Sequence, residues 1–186
     1  VEQFRRGKLY TYSGCIAFPG GAPTLLDMAV SLSRECRYAG NGMRWWPVTL
    51  HTFVVCDLLP NRLKLDGLLH DSPECVTGDA PKPTKTDQFE ELEETLLVAI
   101  YESMNLPFPT PAAREMVHRA DKQALRGEVY TVGTRALQAE HARCVKAENL
   151  VMKYLAEYPP MECITPDGRA PMEFMRRFRL YSDMRK

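Results

Sequence analysis

The chain has no excess of charge. Lys and Arg together number 24 and Asp and Glu also number 24, so no overall field draws it to nucleic acid or to a membrane surface, and an anionic ligand would have to be met by a local cluster of cations. Paired cysteine spacings are absent as well. Cys15, Cys36, Cys56, Cys75, Cys144 and Cys163 are scattered without a CxxC, which argues for free thiols in a reducing compartment rather than a disulfide framework. No signal-peptide core opens the sequence, and no apolar run reaches the ~18 residues of a membrane span, so a cytoplasmic protein with no membrane partner is expected. Internal repeats, low-complexity runs and alternating strand patterns of any length are also missing, which leaves an all-α class. Histidine is scarce, at four in 186 residues, so any histidine-based site has few candidate members.

What is present reads as helices punctuated by proline and glycine. Residues 1–23 alternate weakly through Leu9, Tyr10, Thr11 and Tyr12 and end in Phe18-Pro19-Gly20-Gly21, the pattern of a short hairpin or extended arm. Thr24 suits an N-cap, and Leu25, Met28, Ala29, Leu32 and Cys36 recur at helical spacing as far as Gly40. Pro47 opens a second helix that Pro60 stops, and Leu63 to Val76 reads as a third. Thr86 begins a fourth, with Phe89, Leu92, Leu96, Val98, Ile100 and Met104 turned inward and Glu90, Glu91, Glu93 and Glu94 outward. Two more helices are expected over about 112–132 and 135–157. The helical body thus spans 24–158. A Pro- and charge-rich tail follows over 159–186, where Phe174, Met175 and Phe178 can dock a short terminal helix.

The densest chemistry lies in His70-Asp71-Ser72-Pro73-Glu74-Cys75-Val76-Thr77-Gly78-Asp79. Imidazole and carboxylate are the side chains that hold catalytic Zn, Mn, Fe or Co. On a helix Glu74 shares a side with His70 and Asp71. Two ligands are too few, since a catalytic metal takes at least three protein groups. His51 sits among Val48, Leu50, Phe53 and Val54, and Asp121 among Met116, Val117, Ala120, Ala124 and Leu125, where a charge is costly unless paired or bound to metal. Each alone has a plainer reading: His51 as a satisfied core histidine, Asp121 as a partner of Arg119 or Arg126, His70-Asp71 as a chance dipeptide. Taken together with Glu74 and Asp79, His51, His70, Asp71 and Asp121 make a two-histidine, two-carboxylate set from three helices, a common way for bundles to build core metal sites.

This set resembles the H…HD…D ligand signature of the HD-domain metal-dependent phosphohydrolases. The longer HDxxExxxxD, continued by Gly78-Asp79-Ala80-Pro81-Lys82-Pro83-Thr84-Lys85, is similar to the 5′-deoxynucleotidase branch and its phage-encoded relatives, which include deoxynucleoside triphosphohydrolases. Leu32 to Gly40, with the Arg37-Tyr38 pair ahead of the first histidine, fits the same branch. The likeness covers about residues 24–135. It implies an HD-domain helical bundle in which His51, His70, Asp71 and Asp121 bind one divalent transition metal (Co, Mn, Zn or Fe, with Mg as a further option). It also implies that Glu74 orients or deprotonates the attacking water and that Asp79 contacts the sugar or assists the acid–base step. Arg37 would hold phosphate, Tyr38 would lie near the deoxyribose, and Lys85 would make a second phosphate contact. The branch carries tryptophan where Tyr38 stands; tyrosine is smaller and brings its own hydroxyl. Relatives are often dimers, so a homo-oligomer is also implied as an option.

The chemistry agrees. A divalent metal neutralises phosphoryl charge and activates water, arginine matches phosphate bidentately, and a carboxylate beside the metal can take a proton. The expected activity is release of phosphate from a deoxynucleoside monophosphate, with a nucleotide as the small-molecule partner. The rival within the family is attack on a dNTP to release triphosphate, for which Arg34, Arg44, Lys82 and Lys85 are available. A di-iron oxygenase would need more histidines than His118 and His141 supply, and a silent nucleotide-binding protein would be expected to have lost a ligand or Glu74. Trp45, Trp46 and Arg44 could stack on bases, but a core or pocket-rim role suits them better than nucleic-acid binding.

Overall fold

The computed structural model describes residues 6–18 and 20–185. The remaining positions, 1–5, 19 and 186, lie outside the described residues and include part of the expected N-terminal arm. What is described of that arm is a hairpin. Strand β1 (Gly7–Tyr10) pairs antiparallel with β2 (Cys15–Phe18), in register from Gly7 opposite Phe18 to Tyr10 opposite Cys15. Ser13, at its turn, fastens it to the helical body: its backbone N–H and hydroxyl donate to the two oxygens of Asp27 at 2.7 and 2.9 Å.

Asp27 also completes the start of α1 (Leu25–Arg34). The Thr24 hydroxyl accepts the Asp27 N–H and the Asp27 carboxylate accepts the Thr24 N–H, a capping box that satisfies two otherwise orphaned donors. Helix α2 (Val48–Leu58) follows, with every residue from Val48 to Cys56 buried. A helix enclosed on all sides is the centre of its domain, and α2 packs against α1, α3 (Lys64–Leu69), α6 (Pro111–Thr131), α8 (Val145–Glu157) and α10 (Arg169–Met184). The short α4 (Glu74–Thr77), α5 (Asp87–Ser103), α7 (Arg135–Gln138) and α9 (Pro160–Ile164) complete the helices. The chain is therefore all-α apart from the hairpin. Among the described residues no helix is long and apolar enough to cross a membrane, and all six cysteines are free.

Close packing fixes the α6–α8 pair. A Cβ placed on Gly127 would stand 2.6 Å from the Ala147 Cβ, so only glycine allows the two backbones to approach this closely. The terminal helix α10 is longer than the short docking helix expected, and it belongs to the core through Phe174 and Arg177. The Arg177 guanidinium lies 4.2 Å from the Phe53 ring centroid and donates to the Tyr154 hydroxyl at 2.7 Å and to Glu173 at 2.8 Å. A buried charge kept by an aromatic face and several acceptors ties α10 to α2 and α8.

Four elements depart from what the sequence predicts, three in their bounds and one in the face it turns inward. Helix α1 ends at Arg34 instead of running to Gly40. Beyond it Tyr38, Ala39 and Gly40 take left-handed backbone angles (φ 61°, 49° and 75°), which no α-helix can hold. The expected helix over 63–76 is broken between α3 and α4. Pro73 has no N–H to return to the Leu69 carbonyl, which instead takes the Ser72 N–H and hydroxyl at 3.0 and 2.6 Å. The acidic face of α5 is not wholly outward, since Glu93 turns in to Lys85. The helix expected over 135–157 is two, because the Tyr130 hydroxyl bonds to the carbonyl oxygens of Gln138 and His141 at the break.

Candidate metal and anion site

The departures from regular helix converge on one place. His51 points from the buried centre of α2, His70 ends α3, Asp71 occupies the turn that Pro73 imposes, and Asp121 faces them from the middle of α6. Ligand atoms of His51, His70 and Asp121 all lie within 4.8 Å of one another, a group able to hold a metal ion. His51 Nε2 stands 3.2 Å from Asp121 Oδ1 and 3.4 Å from Asp71 Oδ2, and His70 Nε2 is 3.1 Å from the same Asp71 oxygen.

The orientation of the two imidazoles is set from behind. His51 Nδ1 bonds to Glu128 Oε1 at 2.5 Å, and His70 Nδ1 bonds to the Gly67 carbonyl at 2.8 Å. A carbonyl can only accept, so His70 carries its proton on Nδ1 and presents Nε2 to the site, the arrangement seen where histidines ligate metals. Three buried atoms, His51 Nε2, His70 Nε2 and Glu74 Oε2, have no hydrogen-bond partner among the described residues. Buried polar atoms are rarely left so, and a shared cation would satisfy the two imidazole nitrogens. The field points the same way. Burial would lower the pKa of both histidines, but Glu128 and Asp121 around His51, and Asp71 beside His70, outweigh it and hold both above the usual value. Negative charge at each Nε2 thus favours a bound cation. The donor set of imidazole and carboxylate fits a divalent transition metal.

Around this centre lie the remaining expected residues. Glu74 is the first residue of α4, and its carboxyl is held well above the usual range by burial and then by Asp71 and Asp79. Lys85 Nζ is 3.8 Å from Glu74 Oε1 and within 2.9 Å of both Glu93 oxygens. Arg37 comes from the turn after α1, with Nη1 at 3.8 Å from both Asp71 and Asp79 and Nε at 3.1 Å from Glu128 Oε2. Burial opposes its charge, but Glu128, Asp79 and Asp71 hold its pKa well above the ordinary arginine value. Tyr38 keeps its left-handed backbone with its N–H on Asp79 Oδ2 at 3.2 Å and its hydroxyl on Glu128 Oε2 at 3.2 Å. Strain of this kind gathers at functional sites. A cleft of about 720 Å³ runs over the group, bordered by Arg37, Tyr38, Glu74, Lys85, His118 and Asp121.

All nine expected residues therefore meet. Asp121 has neither arginine partner offered for it, since it faces His51 and Arg119 pairs with Glu115. Trp46 is fully buried in the core. Two contributors escape a reading of the sequence. Glu93 holds Lys85 from the face of α5 that reads as outward. Glu128 is fully buried and contacts His51, Arg37 and Tyr38. The available signal for Glu128 is its spacing, two helical turns after Asp121 and therefore on the same side of α6.

No family model matches the chain. It is similar to the uncharacterized protein YfdR of Escherichia coli (strain K12), with 34% identity over 83 residues that make up 44% of this chain and 47% of that protein. The match thus spans about half the length of the curated relative.

Proposed function

We propose that the protein is an HD-domain phosphohydrolase that uses a divalent metal to cleave phosphate from deoxynucleoside 5′-monophosphates. The observation that carries this reading is the pair of buried imidazole Nε2 atoms, without hydrogen-bond partners among the described residues, facing Asp71 and Asp121 beside a buried arginine. His51, His70, Asp71 and Asp121 would hold the metal, which supplies positive charge to neutralise a phosphoryl group and activate water. Arg37 binds phosphate oxygens through its fixed guanidinium. Burial and then the Asp71 and Asp79 charges hold the Glu74 carboxyl high; a dication held by Asp71 would offset part of that negative charge, and Glu74 Oε2 would accept the proton of the attacking water. Lys85 steadies Glu74 and faces phosphate, and Asp79 holds the Tyr38 backbone and the Arg37 edge where the sugar would lie.

A monophosphate is favoured over a triphosphate because two of the cations that border the cleft are already engaged. Lys85 is bound to Glu93, and Arg114 is bound bidentately to Glu94 at 2.7 Å on each arm. A longer phosphate chain would have to displace both carboxylates. The test is a phosphate-release screen with Mn, Co, Zn and Mg across mono-, di- and triphosphates of all bases, with Asp71→Ala and Glu74→Ala as controls. Orthophosphate from dAMP is the expected product, and tripolyphosphate from dATP would replace it with the rival reaction. If the unsubstituted protein releases neither with any metal, or the variants match it, the hydrolase reading fails.

A further inference from the structure

Three groups to which the proposed activity gives different tasks meet on one side chain. Glu128 is fully buried on α6 and divides its two oxygens between them. Oε1 faces Nδ1 of the metal-ligand candidate His51 at 2.5 Å. Oε2 accepts from Nε of Arg37 at 3.1 Å and from the Tyr38 hydroxyl at 3.2 Å. The groups come from two separate segments, α2 and the turn after α1, and Glu128 holds both from a third, α6. Asp71 also stands near His51 Nε2 and Arg37 Nη1, at 3.4 and 3.8 Å, but on the other side of each group.

We infer that Glu128 is a positioning residue that couples the metal ligand His51 to the anion-binding edge formed by Arg37 and Tyr38; the inference rests on the metal-dependent reading above. Its Oε1 fixes the ring angle of His51 and leaves Nε2 turned to Asp71 and Asp121. Its Oε2 anchors Arg37 through Nε, so that Nη1 reaches the side of Asp71 and Asp79. By accepting the hydrogen bond of the Tyr38 hydroxyl it also keeps that O–H from donating to a ligand in the cleft. Because one delocalised carboxylate serves both directions, a change at one oxygen alters the basicity of the other. Glutamine keeps the shape but has a single acceptor oxygen and a donor amide. It can serve His51 or the Arg37–Tyr38 pair, but not both.

The test reads binding on the full chain, with cobalt(II) and inorganic phosphate as probes. In Glu128→Gln the cobalt affinity is expected to fall about 10- to 100-fold, with a changed visible absorption of the bound cobalt and weaker phosphate binding to the loaded protein. Tyr38→Phe removes one oxygen that meets Glu128 and not a metal ligand. It is expected to shift cobalt affinity by about 2- to 10-fold in the otherwise unsubstituted protein and to have no such effect alongside Glu128→Gln. A folded Glu128→Gln protein with unchanged cobalt affinity, absorption and phosphate binding overturns the inference, as does a Tyr38→Phe shift of equal size in both backgrounds. Should Glu128→Gln fail to fold, Tyr38→Phe alone decides, and unaltered cobalt absorption and affinity in that variant overturn it. Failure of the metal reading itself looks different, because the unsubstituted protein then takes up no cobalt.

Discussion

Glu74 differs from its neighbouring carboxylates in having an oxygen, Oε2, that is buried and yet without a hydrogen-bond partner among the described residues. Lys85 approaches its other oxygen, Oε1, at 3.8 Å. In the proposed reaction Oε2 receives the proton of water, a role that typically contributes about 10²- to 10⁴-fold. Glu74→Gln keeps the volume and removes the base, so kcat for phosphate release is expected to fall by about that factor while cobalt uptake stays within a few-fold of the unsubstituted protein. Turnover within a few-fold of normal, measured alongside a cobalt titration, would assign the proton transfer to another group. At this scale the metal-ligand and acid–base candidates were legible from residue chemistry, whereas Arg37, Tyr38 and Lys85 came only with the family resemblance. Histidine is rare here, and His51, His70, Asp71 and Asp121 stand out where apolar residues belong. Glu128 did not stand out. Glutamate is common on exposed helix faces, and the groups that surround this one, His51, Arg37 and Tyr38, lie far from it in sequence.

Elements were legible where their signals are local. The Thr24 cap marks its helix in the sequence and the observed α1 begins just after it, while α6 begins within one residue of the expected 112. The breaks were less visible, because what ends α1 early and splits the expected third helix involves partners distant in sequence or competing for one carbonyl. Asp27 shows such a junction between elements, since it both caps α1 and receives Ser13 from the hairpin. Burial would raise its pKa, but the hydrogen bonds from Ser13 and Thr24 outweigh it and hold the carboxyl below the usual range. A carboxylate whose folded pKa is depressed contributes stability above its unfolded pKa of about 3.9 and loses it as pH falls through the folded value. Asp27→Asn is therefore expected to cost about 0.5–2 kcal/mol near neutral pH, as a lost cap does. Denaturant melts should show the gap to the unsubstituted protein closing between about pH 5 and about pH 2. A gap constant across that range would mean that the asparagine differs from aspartate by shape rather than by charge.

Across the whole molecule the charges cancel, 24 against 24, yet they do not cancel at the centre. Asp71, Glu74, Asp79, Asp121 and Glu128 converge there from two parts of the chain, residues 71–79 and α6, against Arg37 and Lys85. Folding must therefore gather negative charge at the point where α2, the α3–α4 turn and α6 meet, and a cation shared by them links those elements directly. A ligand that binds only the folded state stabilises it by mass action, by about 2.7 kcal/mol at a hundredfold excess over its dissociation constant. For a chain of this size that corresponds to a rise in Tm of about 5–11 °C. Thermal melts with cobalt or manganese should show the rise, and excess chelator should reverse it. His51→Ala removes a ligand from the buried centre of α2 and should lower the baseline Tm through the cavity it leaves, but the diagnostic quantity is the metal-induced increment. That increment should vanish in His51→Ala and survive in Arg119→Ala, which alters an exposed pair on the outer side of α6. An increment of equal size in both variants would place the metal elsewhere on the protein and remove the physical basis for a metal centre between α2, α3 and α6.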